Sequence, residues 1–363
     1  MSESESVRKS MPICDWPSAD RLAWEMVTAN GDFFDGMGPA AHWSNSYQDS
    51  VTFSYGRWLA HLQRHDPSSL QLVPAERVTV GRVQRYVGTL ETEITATSIH
   101  IYVSRLYEAM RVMAAKSDWA WLGNIVRSLA KNVTPPNKRP RMVDSDRLFT
   151  LGIRLMETAD FEPSWRRTLL DNAIQYRDGL IVALLAARPI RLGNLANITI
   201  GQQLLKVGDR FNLNFAAAEM KNGQPFEFGL PEALTPYLSR YLNEIRPQFP
   251  NAARHEGLWA SSLGVPMHSK ALYGSICRRT KAAFGHSINP NLFRDCVATT
   301  IAIKDPAHVE VARDLLGHSR LETTERYYNQ ARMLEASRQY QHVILAERTR
   351  LAHNYPNAMR KVG

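Results

Sequence analysis

Between Val51 and Leu129 the apolar residues fall into stripes at helical spacing, and the segment Asn132 to Arg141 (NVTPPNKRPR) then forbids a helix. Val51, Tyr55, Trp58, Leu59 and Leu62 form the first stripe, which stops at Asp66-Pro67. Val80, Val83, Val87 and Leu90 form a second. Ile99, Val103, Leu106, Met110 and Met113 follow in alternating steps of four and three, behind a capping candidate at Thr95. Trp121, Ile125 and Leu129 mark another helix. Such steps keep side chains on one helical face, so residues 40–131 read as a compact helical bundle with a basic outer face. Three prolines break the next segment, and Lys138, Arg139 and Arg141 crowd beside them. It reads as a basic linker over 132–144, although a plain solvated loop has the same composition. A chain of 363 residues can bury a core on each side of that break.

Beyond the linker, helices are expected over Asp146–Thr158 and Pro163–Ala187, then strands at Ile198–Ile200, Arg210–Phe215 and Pro225–Leu230. Met220-Lys221-Asn222-Gly223 joins the last two, and Asn-Gly is a tight-turn signal. Further helices are expected over Pro231–Ile245, His268–Phe284, Pro290–Ile303, His308–Leu316, Leu321–Ala331 and Ala336–His353. The fold class is therefore mainly α with a small antiparallel sheet. The expected divisions are a tail and lead-in segment (1–39), the helical bundle (40–131), the linker (132–144), a mixed α/β domain (145–335) and a C-terminal helix with its tail (336–363).

Composition narrows the function classes. Lys and Arg number 44 against 35 Asp and Glu, a formal charge of +9, which favours a polyanionic partner. Hydrophobic residues at 44% and charged residues at 22% argue against wholesale disorder. Cys14, Cys277 and Cys296 form no close pair, which excludes a disulfide framework or a cysteine zinc site and suits a reducing cytosol. Met1 to Ser10 is polar, unlike a signal peptide, and reads as a mobile tail. The longest apolar run, Leu180 to Ala187, is too short to span a bilayer. A soluble, cytoplasmic protein without a membrane partner is expected.

The sharpest motif is Leu315 to Tyr328 (LLGHSRLETTERYY), in which a helix ends at Gly317, His318 stands at the break and a new helix carries two tyrosines. Upstream lie Asn291-Leu292-Phe293-Arg294 at a helix start, Lys221 in the hairpin, and Arg188-Pro189-Ile190-Arg191-Leu192-Gly193-Asn194-Leu195 after a long apolar helix. In this order, over roughly the second half of the chain, these segments resemble the tyrosine recombinase (phage integrase) family. The helical N-terminal part resembles that family's core-binding domain by architecture only.

The resemblance implies a catalytic set of Arg191, Lys221, Arg294, His318 and Tyr327, with Asn291 in the same pocket. Phosphodiester cleavage builds charge on two non-bridging oxygens, and planar guanidinium forks suit those oxygens better than ammonium groups. Such preorganised charge can stand in for a metal, so no cofactor is expected. By resemblance, Tyr327 forms a 3′-phosphotyrosine, Lys221 protonates the departing 5′-hydroxyl, and His318 holds a phosphate oxygen or moves a proton. Each residue also has a plain structural reading: Arg191 at a helix end, Lys221 in an ordinary turn, Arg294 as a cap or ion pair, His318 as a helix cap. Tyr328 competes with Tyr327, since helical neighbours point about 100° apart.

Two positions depart from the family pattern. Asn291 stands where histidine is commonest, and Asn194 where an acidic residue usually supports the first arginine. An amide can hydrogen-bond but cannot relay a proton. The expected function is a site-specific DNA recombinase or integrase acting on a mobile element, with the two domains forming a C around duplex DNA. The expected partners are a double-stranded attachment site contacted by Lys138, Arg139 and Arg141, a homo-tetrameric synapse and an accessory directionality factor. A catalytically weakened DNA-binding protein on the same fold, and a monomeric type IB topoisomerase-like enzyme, are the alternatives.

Overall fold

The structure, a computed structural model, describes residues 9–31, 36–134, 137–159, 168–220, 223–304, 340–341 and 343–347. The chain divides into two units, Met1–Pro136 and Asn137–Gly363.

The described part of the first unit is helical: α1 (Ser18–Thr28), α2 (Asn45–His65), α3 (Pro74–Arg77), α4 (Val80–Glu93), α5 (Ala96–Met113) and α6 (Ala120–Lys131). The stripes face inward as their spacing requires, except at Val80, which opens α4 and is exposed. Val51, Tyr55, Trp58, Leu59 and Leu62 of α2 are buried against Val83 and Leu90 of α4 and Ile99, Val103, Leu106 and Met110 of α5. Each such side chain stabilises the fold by about 1.5–3 kcal/mol relative to exposure. Thr95 caps α5 by accepting from the Ser98 amide at 3.4 Å, and α2 stops at Asp66.

The lead-in segment is more than an approach to this bundle. Trp16, Trp24 and Val27 lie in the same core, and α1 buries Asp20 completely. Asp20 is paired with Arg77 and accepts from the Tyr55 hydroxyl at 2.5 Å. Residues 11–28 therefore belong to the helical unit. Of the expected tail at Met1–Ser10, residues 1–8 lie outside the described residues.

The second unit contains α7 (Ser145–Glu157), α8 (Leu169–Ala187), α9 (Leu192–Ala196), β1 (Leu204–Val207), β2 (Arg210–Phe215), β3 (Phe226–Gly229), α10 (Thr235–Arg240), α11 (Ser269–Phe284) and α12 (Pro290–Lys304). The strands form one antiparallel sheet in the order β1-β2-β3, with Leu205 opposite Asn212 and Leu213 opposite Phe228. The class is thus mainly α with a small sheet. Helix α8 is buried continuously from Leu180 to Ala186, as its unbroken apolar run requires. At Gly152 the backbone of α7 approaches α8 so closely that a Cβ would fall 2.5 Å from the Ala183 nitrogen.

Two local expectations change. Ile198–Ile200 makes isolated bridges, Thr199 to Gly257 and Ile200 to Leu204, rather than a strand. The first strand starts at Leu204 because Gly201, at φ 80°, turns the chain, and Gly208, at φ 59°, then allows the tight turn into β2. The helix expected over 231–245 is broken into a 3-10 turn at Glu232–Leu234, α10 and a wider π turn at Tyr241–Ile245. Residues 308–316 and 321–331 lie outside the described residues. Within 336–353, residues 340–341 and 343–347 are helical, and Tyr340, Val343, Ile344 and Leu345 are exposed.

Candidate active site

Pro189 stops α8 immediately after the Arg188 amide closes the helix on the Leu184 carbonyl at 2.7 Å. The chain then turns sharply, with the Ile190 amide donating to the Arg188 carbonyl at 2.8 Å. Pro189 and Ile190 are buried, whereas Arg191 is only half-buried and opens α9, its carbonyl accepting from Leu195 at 2.9 Å. The apolar pair anchors the turn, and the arginines on either side are left nearer the surface.

Arg294 comes from α12. Asn289 caps that helix by accepting from the Leu292 amide at 2.9 Å, and Pro290 occupies the first helical position, where no donor is needed. Leu292 and Phe293 are buried, Asn291 is exposed and Arg294 is half-buried. The Arg294 guanidinium donates through Nη1 to the Pro189 carbonyl. This bond brings the second arginine to the turn that carries Arg191. Asn291 lies three residues earlier on the same helix.

The linker holds α12 in place. Lys138 pairs with Asp295 at 2.7 Å, directly beside Arg294. The Val143 amide meets the buried Cys296 thiol at 3.4 Å, and the Ser145 amide donates to Thr300 at 3.1 Å. Burial pushes the Cys296 thiol up to about 11, so it packs as a neutral group. Arg141 donates to the Ser287 carbonyl at 2.9 Å, and His286 lies 3.1 Å from the Arg141 carbonyl. Lys138 and Arg141 are thus engaged within the second unit, while Arg139 is exposed in the 3-10 turn between them. Sequence reading had no signal for Asp295, because its partner lies 157 positions away.

Asn194 does not turn its amide to a carboxylate-like role. Its Nδ2 lies 2.9 Å from the Met220 sulfur, a weak acceptor, and so meets the residue before Lys221. Lys221, His318, Tyr327 and Tyr328 lie outside the described residues. Among the described residues, no group of three or more His, Cys, Asp or Glu side chains is placed to hold a metal ion. No described helix is long and apolar enough to cross a membrane.

Residues 160–333 match the phage integrase family. The tyrosine recombinase XerD of Staphylococcus aureus is 27% identical over 176 residues, which cover 48% of this chain and 54% of that protein. XerD of Pseudomonas aeruginosa is 28% identical over 178 residues, covering 49% and 57%. The chain spans just over half the length of these relatives. In fold it is similar to XerH site-specific recombinase bound to a palindromic difH substrate, with a TM-score of 0.56 at 12% identity over 92% of this chain and 98% of that one. It is likewise similar to a lambda integrase dimer bound to a COC′ core site, with a TM-score of 0.50 at 16% identity over 80% and 90%. Through residues 160–333, which hold both arginines and Tyr327, the chain is similar to the tyrosine recombinase (phage integrase) family.

Proposed function

We propose that this chain is a site-specific DNA recombinase that cuts and rejoins a duplex through Tyr327. The Tyr327 oxygen gives up its proton to His318 or water and attacks the scissile phosphorus, a 3′-phosphotyrosine bond forms, and the bond to the 5′ oxygen breaks. Lys221 supplies the proton that leaves with the 5′-hydroxyl, and the reverse attack by a 5′-hydroxyl rejoins the strand. Arg191 and Arg294 fork onto the non-bridging oxygens, His318 holds one of them, and Asn291 adds an uncharged donor. The observation that carries this reading is the bond from Arg294 to the Pro189 carbonyl, which brings the Arg294 guanidinium to the turn that carries Arg191.

The same reading gives the basic segment a positioning role on the DNA backbone. Arg139 offers its exposed guanidinium to phosphate, while Lys138 and Arg141 act there together with their bonds to Asp295 and Ser287. The exposed Tyr340, Val343, Ile344 and Leu345 suit a helix that packs on a neighbouring protomer in a tetrameric synapse. Integration or excision of a mobile element, in the cytoplasm and with an accessory directionality factor, is the role proposed.

A nicked suicide duplex tests the reading, because an active enzyme becomes trapped on it covalently. Parent protein and Tyr328→Phe should form the adduct on a denaturing gel, and Tyr327→Phe should not. Adducts with Tyr327→Phe but not Tyr328→Phe would reassign the nucleophile. A parent that binds duplex but never forms an adduct would favour the second reading, a DNA-binding protein weakened at Asn291 and Asn194.

A further inference from the structure

Arg188 occupies an unusual position for a cation. Its Nε is buried and has no hydrogen-bond partner among the described residues. Nη1 makes a long contact of 3.4 Å with the Ala187 carbonyl, and the guanidinium lies 5.6 Å over the Phe228 ring of β3. Burial pushes this guanidinium below its ordinary value, and no carboxylate among the described residues acts on it. An arginine still remains charged at neutral pH. Taking a cation out of water without an opposite charge is costly, and proteins keep such groups where a ligand supplies the charge.

Its surroundings select the ligand. Arg188 stands three residues before Arg191 in one turn, and Arg294 bonds to Pro189 between them. One phosphate held by Arg191 and Arg294 offers few oxygens for a third fork. We propose that Arg188 binds a second DNA backbone phosphate, next to the one held by Arg191 and Arg294, with Phe228 fixing the plane of its guanidinium. Nη2 presents its donors to the phosphate, and stacking on the ring keeps the guanidinium oriented. The inference rests on duplex DNA being the substrate, but it needs no particular target sequence.

The test is the salt dependence of binding to a duplex oligonucleotide of arbitrary sequence. Each phosphate contact contributes roughly 0.9 to the slope of log affinity against log salt. Arg188→Met should lower that slope by about one contact, or roughly 0.9. Arg188→Lys should keep the slope, and Phe228→Leu should keep it too, since neither removes the charge. Unfolding curves separate this role from packing. Arg188→Met should unfold at the parent's urea midpoint or above, because it removes a desolvated charge. An unchanged slope overturns the proposal, most plainly if the midpoint falls, which would make Arg188 a packing strut on Phe228. Should Arg188→Met fail to fold, Arg188→Gln reads the same slope. Failure of the recombinase reading has a different signature, namely a parent that binds duplex with normal salt dependence yet forms no covalent adduct.

Discussion

Arg77 in the helical unit is fully buried and Arg188 in the second unit is half-buried, and their donors are treated in opposite ways. Arg77 is fully buried and its Nε, Nη1 and Nη2 are all engaged, on Asp20 and on the carbonyls of Ser69, Leu70 and Leu72. Arg188 has one long contact, an aromatic ring and a buried Nε without a partner among the described residues. A structural arginine consumes its donors internally, and a binding arginine keeps some for a ligand. The second unit also contains the first kind: Arg177 donates to Asp178 and to the Ala260 carbonyl. The contrast therefore separates sites rather than whole units.

The largest expected effect lies at Arg77. Arg77→Met leaves Asp20 buried without its cation and should cost about 3–5 kcal/mol. Urea unfolding followed by tryptophan fluorescence reads it, since Trp16, Trp24 and Trp58 share that core. A loss under about 1 kcal/mol, the range of an exposed ion pair, would erase the contrast with Arg188.

His61 sharpens the comparison through pH. It is buried beside Trp58, His65 and Tyr86, and burial, with His65, Arg64 and Arg85, lowers it from 6.5 to about 4. Folded His61 thus stays neutral while the unfolded chain takes up a proton. Its contribution is full above pH 6.5 and is lost as pH falls towards 4. The ceiling of that loss is about 3 kcal/mol. His61→Gln should flatten the pH dependence of the urea midpoint across this window. Parallel curves for the two proteins would show that His61 titrates normally.

A smaller effect is expected at Asn291, exposed on the helix that carries Arg294. Asn291→Ala should slow adduct formation roughly 10-fold, the equivalent of about 1.4 kcal/mol for one hydrogen bond lost in the transition state. Asn291→His should react at least as fast as the parent in single-turnover assays across pH. A neutral alanine variant would place the side chain outside the pocket.

The parts legible in the sequence were those set by local chemistry. Helical spacing located α2, α4, α5 and α6, and Thr95 and Asp66-Pro67 fixed two of their ends. The family resemblance singled out Arg191 and Arg294, and the fold brings the Arg294 guanidinium to the turn that carries Arg191. What escaped depends on partners distant in sequence. Asp20 looks like a surface acid until Arg77 reaches it, and Asp295 looks unremarkable until Lys138 pairs with it. Ile198–Ile200 has the composition of a strand, but Gly201 turns the chain before a ladder can form. Arg188 was visible as a residue, whereas its buried Nε and the lack of a counter-charge among the described residues are properties of the fold.

The central claim is that Arg191 and Arg294, joined at one turn through Pro189, balance the charge that develops on the scissile phosphate. Single-turnover adduct formation on a nicked duplex, in excess EDTA, tests it most directly. The parent should react at its full rate in chelator. Arg294→Ala should react about 10²–10³-fold more slowly, the cost of removing one preorganised charge-stabilising donor, while its duplex affinity changes far less. Activity that chelation abolishes and Mg²⁺ restores, with binding unchanged, would contradict the account, as would an Arg294→Ala protein that reacts at the parent's rate.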